Sequence, residues 1–121
     1  MTESERTTGI LDPAALENLR EMVGGDDEFL AELIDTFFAD APQMLLDMRQ
    51  ALESGDVAVL HRAAHSLKSN SAEFGGMTLS NLCRDLEAIG KAGTLDGAAE
   101  LVAQAEAEYE KVRVALEAAR N

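Results

Sequence analysis

His65 and Lys68 lie three residues apart in the segment Leu60-His-Arg-Ala-Ala-His-Ser-Leu-Lys-Ser-Asn-Ser-Ala-Glu-Phe-Gly-Gly76. An imidazole with an unperturbed pKa of about 6.5 is largely neutral near neutral pH, and the neutral form is a nucleophile. An ammonium one helical turn later reaches the same patch of surface. Together they suit a phosphorylated imidazole, whose negative oxygens the lysine would pair. Ser69 and Ala72 are small enough to let another protein approach. Gly75 and Gly76 lower the surface and permit a sharp exit from the helix.

These side chains need a helix to hold them. At about 100° per residue, Leu60, Ala63, Ala64, Leu67, Ser71 and Phe74 fall on one side as a core stripe. His65 points away from it, among Ala58, Ser69 and Ala72, with His61 and Lys68 to one side. The rest of the chain supplies partners for that stripe. Leu11-Asp12-Pro13 reads as a helix start, with Asp12 as N-cap and Pro13 at the first helical position. Leu16, Leu19, Met22 and Val23 make a short apolar stripe that ends at Gly24-Gly25. Asp26 or Asp27 caps a second helix carrying Phe29, Leu30, Leu33, Ile34, Phe37 and Phe38. Pro42 interrupts it, and the stripe resumes at Leu45, Met48 and Leu52, so one long helix kinked near residues 40–42 is expected, with two helices as the alternative. That helix stops at Ser54-Gly55, and Asp56 caps the histidine helix. Thr78 is expected to cap the next one, with Leu79, Leu82, Leu86 and Ile89 inside and Gly90 or Gly93 at its end. Residues 94–96 start the last, carrying Leu101, Val102, Ala105, Tyr109, Val112 and Leu116. Phe37, Phe38 and the five methionines read as packing.

The predicted fold is all-α: an antiparallel four-helix bundle with an additional short N-terminal helix packed across one end. Residues 1–10 are expected to be a flexible leader and residues 11–121 the bundle. A chain of 121 residues with 46% hydrophobic content can bury its own core, so a monomer is expected. The net charge of −13 argues against a nucleic-acid partner, since phosphates would be repelled. It serves solubility or electrostatic selection of protein partners. The single cysteine, Cys83, forms no internal disulfide and is read as a small, partly buried thiol, which fits a reducing cytoplasm. No apolar run approaches the roughly 20 residues that span a bilayer, and the N-terminus lacks a secretory signal pattern.

His61 and His65 at i and i+4 have the spacing to present two imidazoles to one metal ion. Arg62 replaces the glutamate of the zinc-hydrolase motif, no third ligand is near in sequence, and Lys68 would repel a cation. The expectation is no metal. An adaptor bundle with an ordinary solvated face is what periodicity alone would favour.

The motif decides otherwise. His65-Ser-Leu-Lys68-Ser-Asn-Ser-Ala72-Glu-Phe-Gly75-Gly, followed by Leu79-Ser-Asn-Leu82-Cys83-Arg-Asp-Leu86-Glu87, resembles the histidine phosphotransfer domains of multistep bacterial phosphorelays. Upstream, the Phe-Leu-x-x-Leu-x-x-x-Phe helix, the Ala-Pro and the Gly-Asp turn extend the likeness over most of residues 11–116. Ser69 stands where family members often carry glycine, and Asn70 and Glu73 differ from the commoner serine and asparagine. The resemblance implies a phosphoryl carrier without kinase activity of its own, and no glycine-rich ATP loop is present. His65 would be the phosphoacceptor and Lys68 would stabilise the phosphoryl group. His61, Arg62, Ser69, Ala72, Glu73 and Gly75 would form the docking face. The partners implied are response-regulator receiver domains and a hybrid histidine kinase. The Mg²⁺ would sit on the receiver, with no cofactor on this chain. A histidine-kinase dimerisation domain fits less well: Ser66 follows the histidine where an acidic residue is usual, and no proline comes near. Met1, the polar leader and the end at Asn121 lean toward a free-standing shuttle over a fragment of a hybrid kinase.

Overall fold

The computed structural model describes residues 9–120. Among these residues Gly9 and Ile10 are helical, and five further helices follow in order: α1 (Pro13–Met22), α2 (Asp27–Ser54), α3 (Val57–Glu73), α4 (Met77–Lys91) and α5 (Ala98–Arg120). Among the described residues there is no strand. Most of the leader expected over residues 1–10 lies outside the described part, as does Asn121. Ile10, which the sequence reading put in that leader, is partly buried against the core.

Three aspartates start three helices. Asp12 accepts from Ala14 N at 3.1 Å, with Pro13 at the first position. Asp26 accepts from Glu28 N and Phe29 N, both at 3.1 Å. Asp56 accepts from Val59 N at 3.1 Å. Each satisfies backbone donors that the first turn leaves unpaired, a contribution of about 1 kcal/mol. Gly55, at φ 74°, closes α2 in the left-handed region where a side chain would be strained. α2 runs unbroken through the exposed Pro42, so the two-helix alternative is excluded.

Short turns reverse the chain each time, and α2, α3, α4 and α5 pack in a ring, α2 against α3, α3 against α4, α4 against α5 and α5 back onto α2. Ile34, Met48, Leu60, Leu67, Leu86 and Val102 are enclosed between them. Phe37 of α2 stacks at 4.9 Å on Phe74 and meets the edge of Tyr109 of α5 at 5.8 Å. That aromatic cluster ties three elements together at one end of the bundle. Phe38, also expected in the core, is only partly buried.

α1 lies across that end. The α3–α4 turn is a Schellman closure: Gly76 N donates to Ser71 O and Gly75 N to Ala72 O. Gly75 has φ 85°, and Asp12 N donates to its carbonyl at 2.8 Å. A Cβ on Gly75 would lie 2.8 Å from Asp12 O. The start of α1 thus clasps the exit of α3.

Several expectations are corrected. Thr78 does not cap α4, because the Schellman turn runs directly into the helix, which begins at Met77 with Gly76 as N-cap and no side-chain cap bond. α5 begins at Ala98; Thr94 Oγ instead accepts from Asp96 N in the preceding turn. Gly90 lies inside α4, and the chain turns at Gly93. Met22 is 77% and Phe29 48% exposed, while the adjacent Val23 and Leu30 pack inward, and Met77 is exposed as well. Of the methionines among the described residues, Met48 alone is fully enclosed, with Met44 partly so. Cys83 is wholly buried, not partly, and burial pushes its thiol up to about 12, so it packs as a small hydrophobe.

Candidate functional site

The most extensive helix contact in the molecule is the seam between α3 and α4. The core stripe of α3, from Leu60 to Ser71, faces the interior, and this turns His65 outward with its side chain 61% exposed. On α4 the stripe Leu79, Cys83, Leu86 and Gly90 is buried, and this sets Glu87 at the edge of the seam beside α3.

There one carboxylate serves two partners. Glu87 Oε1 accepts from Lys68 Nζ at 2.7 Å, and Glu87 Oε2 is hydrogen-bonded to His65 Nδ1. The ammonium of Lys68, and then the His65 bond, hold the Glu87 carboxyl below the usual glutamate value despite its partial burial. A carboxylate only accepts, so the proton of this bond belongs to Nδ1. In the neutral imidazole, Nε2 then carries the free lone pair. The resting site is thus a His65–Glu87–Lys68 chain along the helix face.

The site is braced from both sides. Ser80 Oγ of α4 donates to the Lys68 carbonyl at 3.0 Å. The His61 ring stacks parallel to His65, with centroids 6.4 Å apart and planes at 15°. Among the described residues no group of three or more His, Cys, Asp or Glu side chains is placed to hold a metal ion.

The residues expected from sequence divide into groups. His61, His65 and Lys68 come together at the α3–α4 seam. Ser69 and Glu73 are exposed and Ala72 half-buried on later turns of α3. Arg62 instead lines a cleft of about 760 Å³ between α2 and α3, shared with Asp40, Gln43, Asp47 and Ser66. Gly75 offers no surface for docking: it is buried beneath Asp12. Sequence reasoning did not single out Glu87, Ser80 or Gly90 for the site. Glu87 had two signals, its place at the end of the second motif and its position directly after the core residue Leu86 on a helix that must pack beside α3.

A helical bundle that presents one polarised histidine on an open face, with a lysine beside it, defines a protein-to-protein group carrier. The model of the Hpt domain family matches residues 32–115, and the chain belongs to that family. Its relatives include histidine-containing phosphotransfer protein 2 of Arabidopsis thaliana, 24% identical over 90% of this chain and 72% of the relative. Multistep phosphorelay regulator 1 of Schizosaccharomyces pombe is 28% identical over 76% of this chain, which spans 32% of that protein. The crystal structure of histidine-containing phosphotransfer protein B from Pseudomonas aeruginosa superposes with a TM-score of 0.84 at 32% identity, covering 92% of this chain and 94% of the other. The function is histidine-containing phosphotransfer in a phosphorelay. Among the described residues no helix is long and apolar enough to cross a membrane.

Proposed function

We propose that His65 is the phosphoacceptor, taking a phosphoryl group from the aspartyl phosphate of one receiver domain and passing it to the aspartate of another. The observation that carries this reading is the bond from His65 Nδ1 to Glu87, on an imidazole 61% exposed. It leaves the Nε2 lone pair to attack phosphorus. The N–P bond forms as the P–O bond to the donor carboxylate breaks, and that carboxylate leaves as an anion. The phosphorylated ring, still protonated at Nδ1, carries positive charge that the Glu87 carboxylate offsets. The transition state is loose, with charge on the equatorial oxygens, so positioning and electrostatics carry the catalysis. Lys68 supplies one positive charge at that place by turning from Glu87 toward the phosphoryl oxygens. Transfer onward is the reverse of the same step.

The receiver brings the Mg²⁺ and the carboxylates that bind it, and this chain brings no cofactor and no kinase activity. The partners are response-regulator receivers and a hybrid histidine kinase, in the cytoplasm, and the carrier works as a monomer. His61, Ser69, Ala72 and Glu73 lie along α3 with His65 and form the contact face, and Arg62, in the α2–α3 cleft, marks its far rim.

The test is intact mass after incubation with Mg²⁺ and phosphorylated receiver domains, run beside His65→Gln and His61→Gln. The expected result is an acid-labile phosphoryl adduct lost only in His65→Gln. Retained labelling of that variant overturns the assignment.

A further inference from the structure

We propose that Gly90 is a positioning residue for phosphoryl transfer: its bare Cα lets α4 rest on the backbone of α3 at His61, and this contact sets the separation across which Glu87 holds His65. The proposal builds on the reading of His65 as the acceptor.

Gly90 is buried within α4, and its φ is not positive, so no turn requires a glycine there. In a helix interior glycine is less favourable than alanine. What the glycine allows is close approach. A Cβ at this position would lie 3.0 Å from His61 N and 3.1 Å from His61 Cα and Cβ. These are main-chain atoms and the first side-chain carbon, none of which can swing aside. Any side chain at 90 therefore moves one helix away from the other.

The position of the contact gives it consequence. One turn C-terminal of His61 on α3 stands His65, and one turn N-terminal of Gly90 on α4 stands Glu87. Because the two helices run antiparallel, these steps lead in the same direction along the seam. Beyond the pair, Ser80 Oγ holds the Lys68 carbonyl. The His65–Glu87 bond is thus bracketed by a backbone contact on one side and a cross-helix hydrogen bond on the other. Displacement at Gly90 pivots α4 about Ser80 and opens the gap at Glu87. A hydrogen bond weakens steeply over a few tenths of an ångström, so little displacement is needed to release Nδ1.

The experiment is long-range proton–nitrogen NMR of the His65 ring in the unphosphorylated protein, comparing wild type, Gly90→Ala and Leu116→Ala. Leu116 is fully buried on α5, so its truncation loosens the core without adding bulk at His61. Spectra are recorded with and without trimethylamine N-oxide, which favours the compact state and keeps a weakened variant folded. Wild type is expected to show protonation at Nδ1 and an unprotonated Nε2. Gly90→Ala is expected to lose that preference, and Leu116→Ala to keep it. Unchanged ring signals in folded Gly90→Ala overturn the proposal, and so does an equal change in Leu116→Ala. Failure of Gly90→Ala to fold even in the osmolyte replaces the positioning role with plain packing. The readout needs no phosphoryl group, so a wrong acceptor assignment would show in the mass experiment and leave these ring signals as predicted.

Discussion

Lys68 and His65 compete for nothing at rest because Glu87 has an oxygen for each: Oε1 takes the lysine at 2.7 Å and Oε2 takes Nδ1 of the imidazole. The histidine is thereby fixed in one tautomer, and the lysine is stored within reach of it.

Replacing Glu87 by Gln keeps an acceptor but removes its charge. A hydrogen bond to a charged group exceeds a neutral one by roughly 1 kcal/mol, so phosphoryl acceptance is expected to slow about five- to tenfold. Single-turnover transfer from a phosphorylated receiver measures this. An unaltered rate removes Glu87 from the mechanism.

The same carboxylate makes a prediction about pH. Glu87 is held below its ordinary value of 4.5, chiefly by Lys68. A depressed carboxyl stabilises the fold fully above its unfolded pKa, and this contribution fades as pH falls through the folded one. The stability difference between wild type and Glu87→Gln is therefore expected to shrink as pH falls below 4.5. Urea unfolding across that range reads it. A difference that does not shrink below pH 4.5 contradicts the pairing.

Lys68→Ala is expected to slow transfer by about tenfold or to shorten the phosphohistidine lifetime comparably, since one positive charge near the equatorial oxygens is lost. The measurement is the decay of labelled protein with and without receiver. Kinetics that match wild type would deny the lysine its role.

Ala72→Trp places a bulky ring on the half-buried position two turns beyond His65. Receiver docking is expected to fail while helicity by circular dichroism is retained. Normal transfer rates would put the docking face elsewhere.

Gly75→Ala tests the clasp between α1 and α3. The left-handed backbone alone costs about 1–3 kcal/mol with a side chain present. The new Cβ, 2.8 Å from Asp12 O, adds to that. Chemical denaturation is expected to show the loss, and a variant as stable as wild type would mean that α1 detaches freely.

What could be read from the sequence was what is local. Asp12, Asp26 and Asp56 announce their helices because a cap is settled within three residues of chain, and the stripe from Leu60 to Phe74 turned His65 outward for the same reason. The motif around His65 then carried the family. Glu87 escaped because its role depends on a contact 22 residues away, created only when α4 lies along α3. Gly75 misled because a glycine at a helix exit looks like an open surface until α1 folds over it. Thr78 and the start of α5 missed by a few residues, since backbone closures through Gly76 and Leu95 took the place of side-chain caps. Phe29 and Met22 have the periodicity of a core, but their neighbours Leu30 and Val23 take the inward positions and leave them exposed.

The Lys68–Glu87 ion pair bears on how such a carrier can run in both directions. In the role proposed for it, Lys68 must let go of a carboxylate before it grips a phosphoryl group, so the gain would be one anion exchanged for another and not an anion captured from water. The loaded and empty forms are drawn toward the same level. A relay member poised in this way neither hoards its cargo nor refuses it, and the direction of flow is left to whichever receiver is loaded.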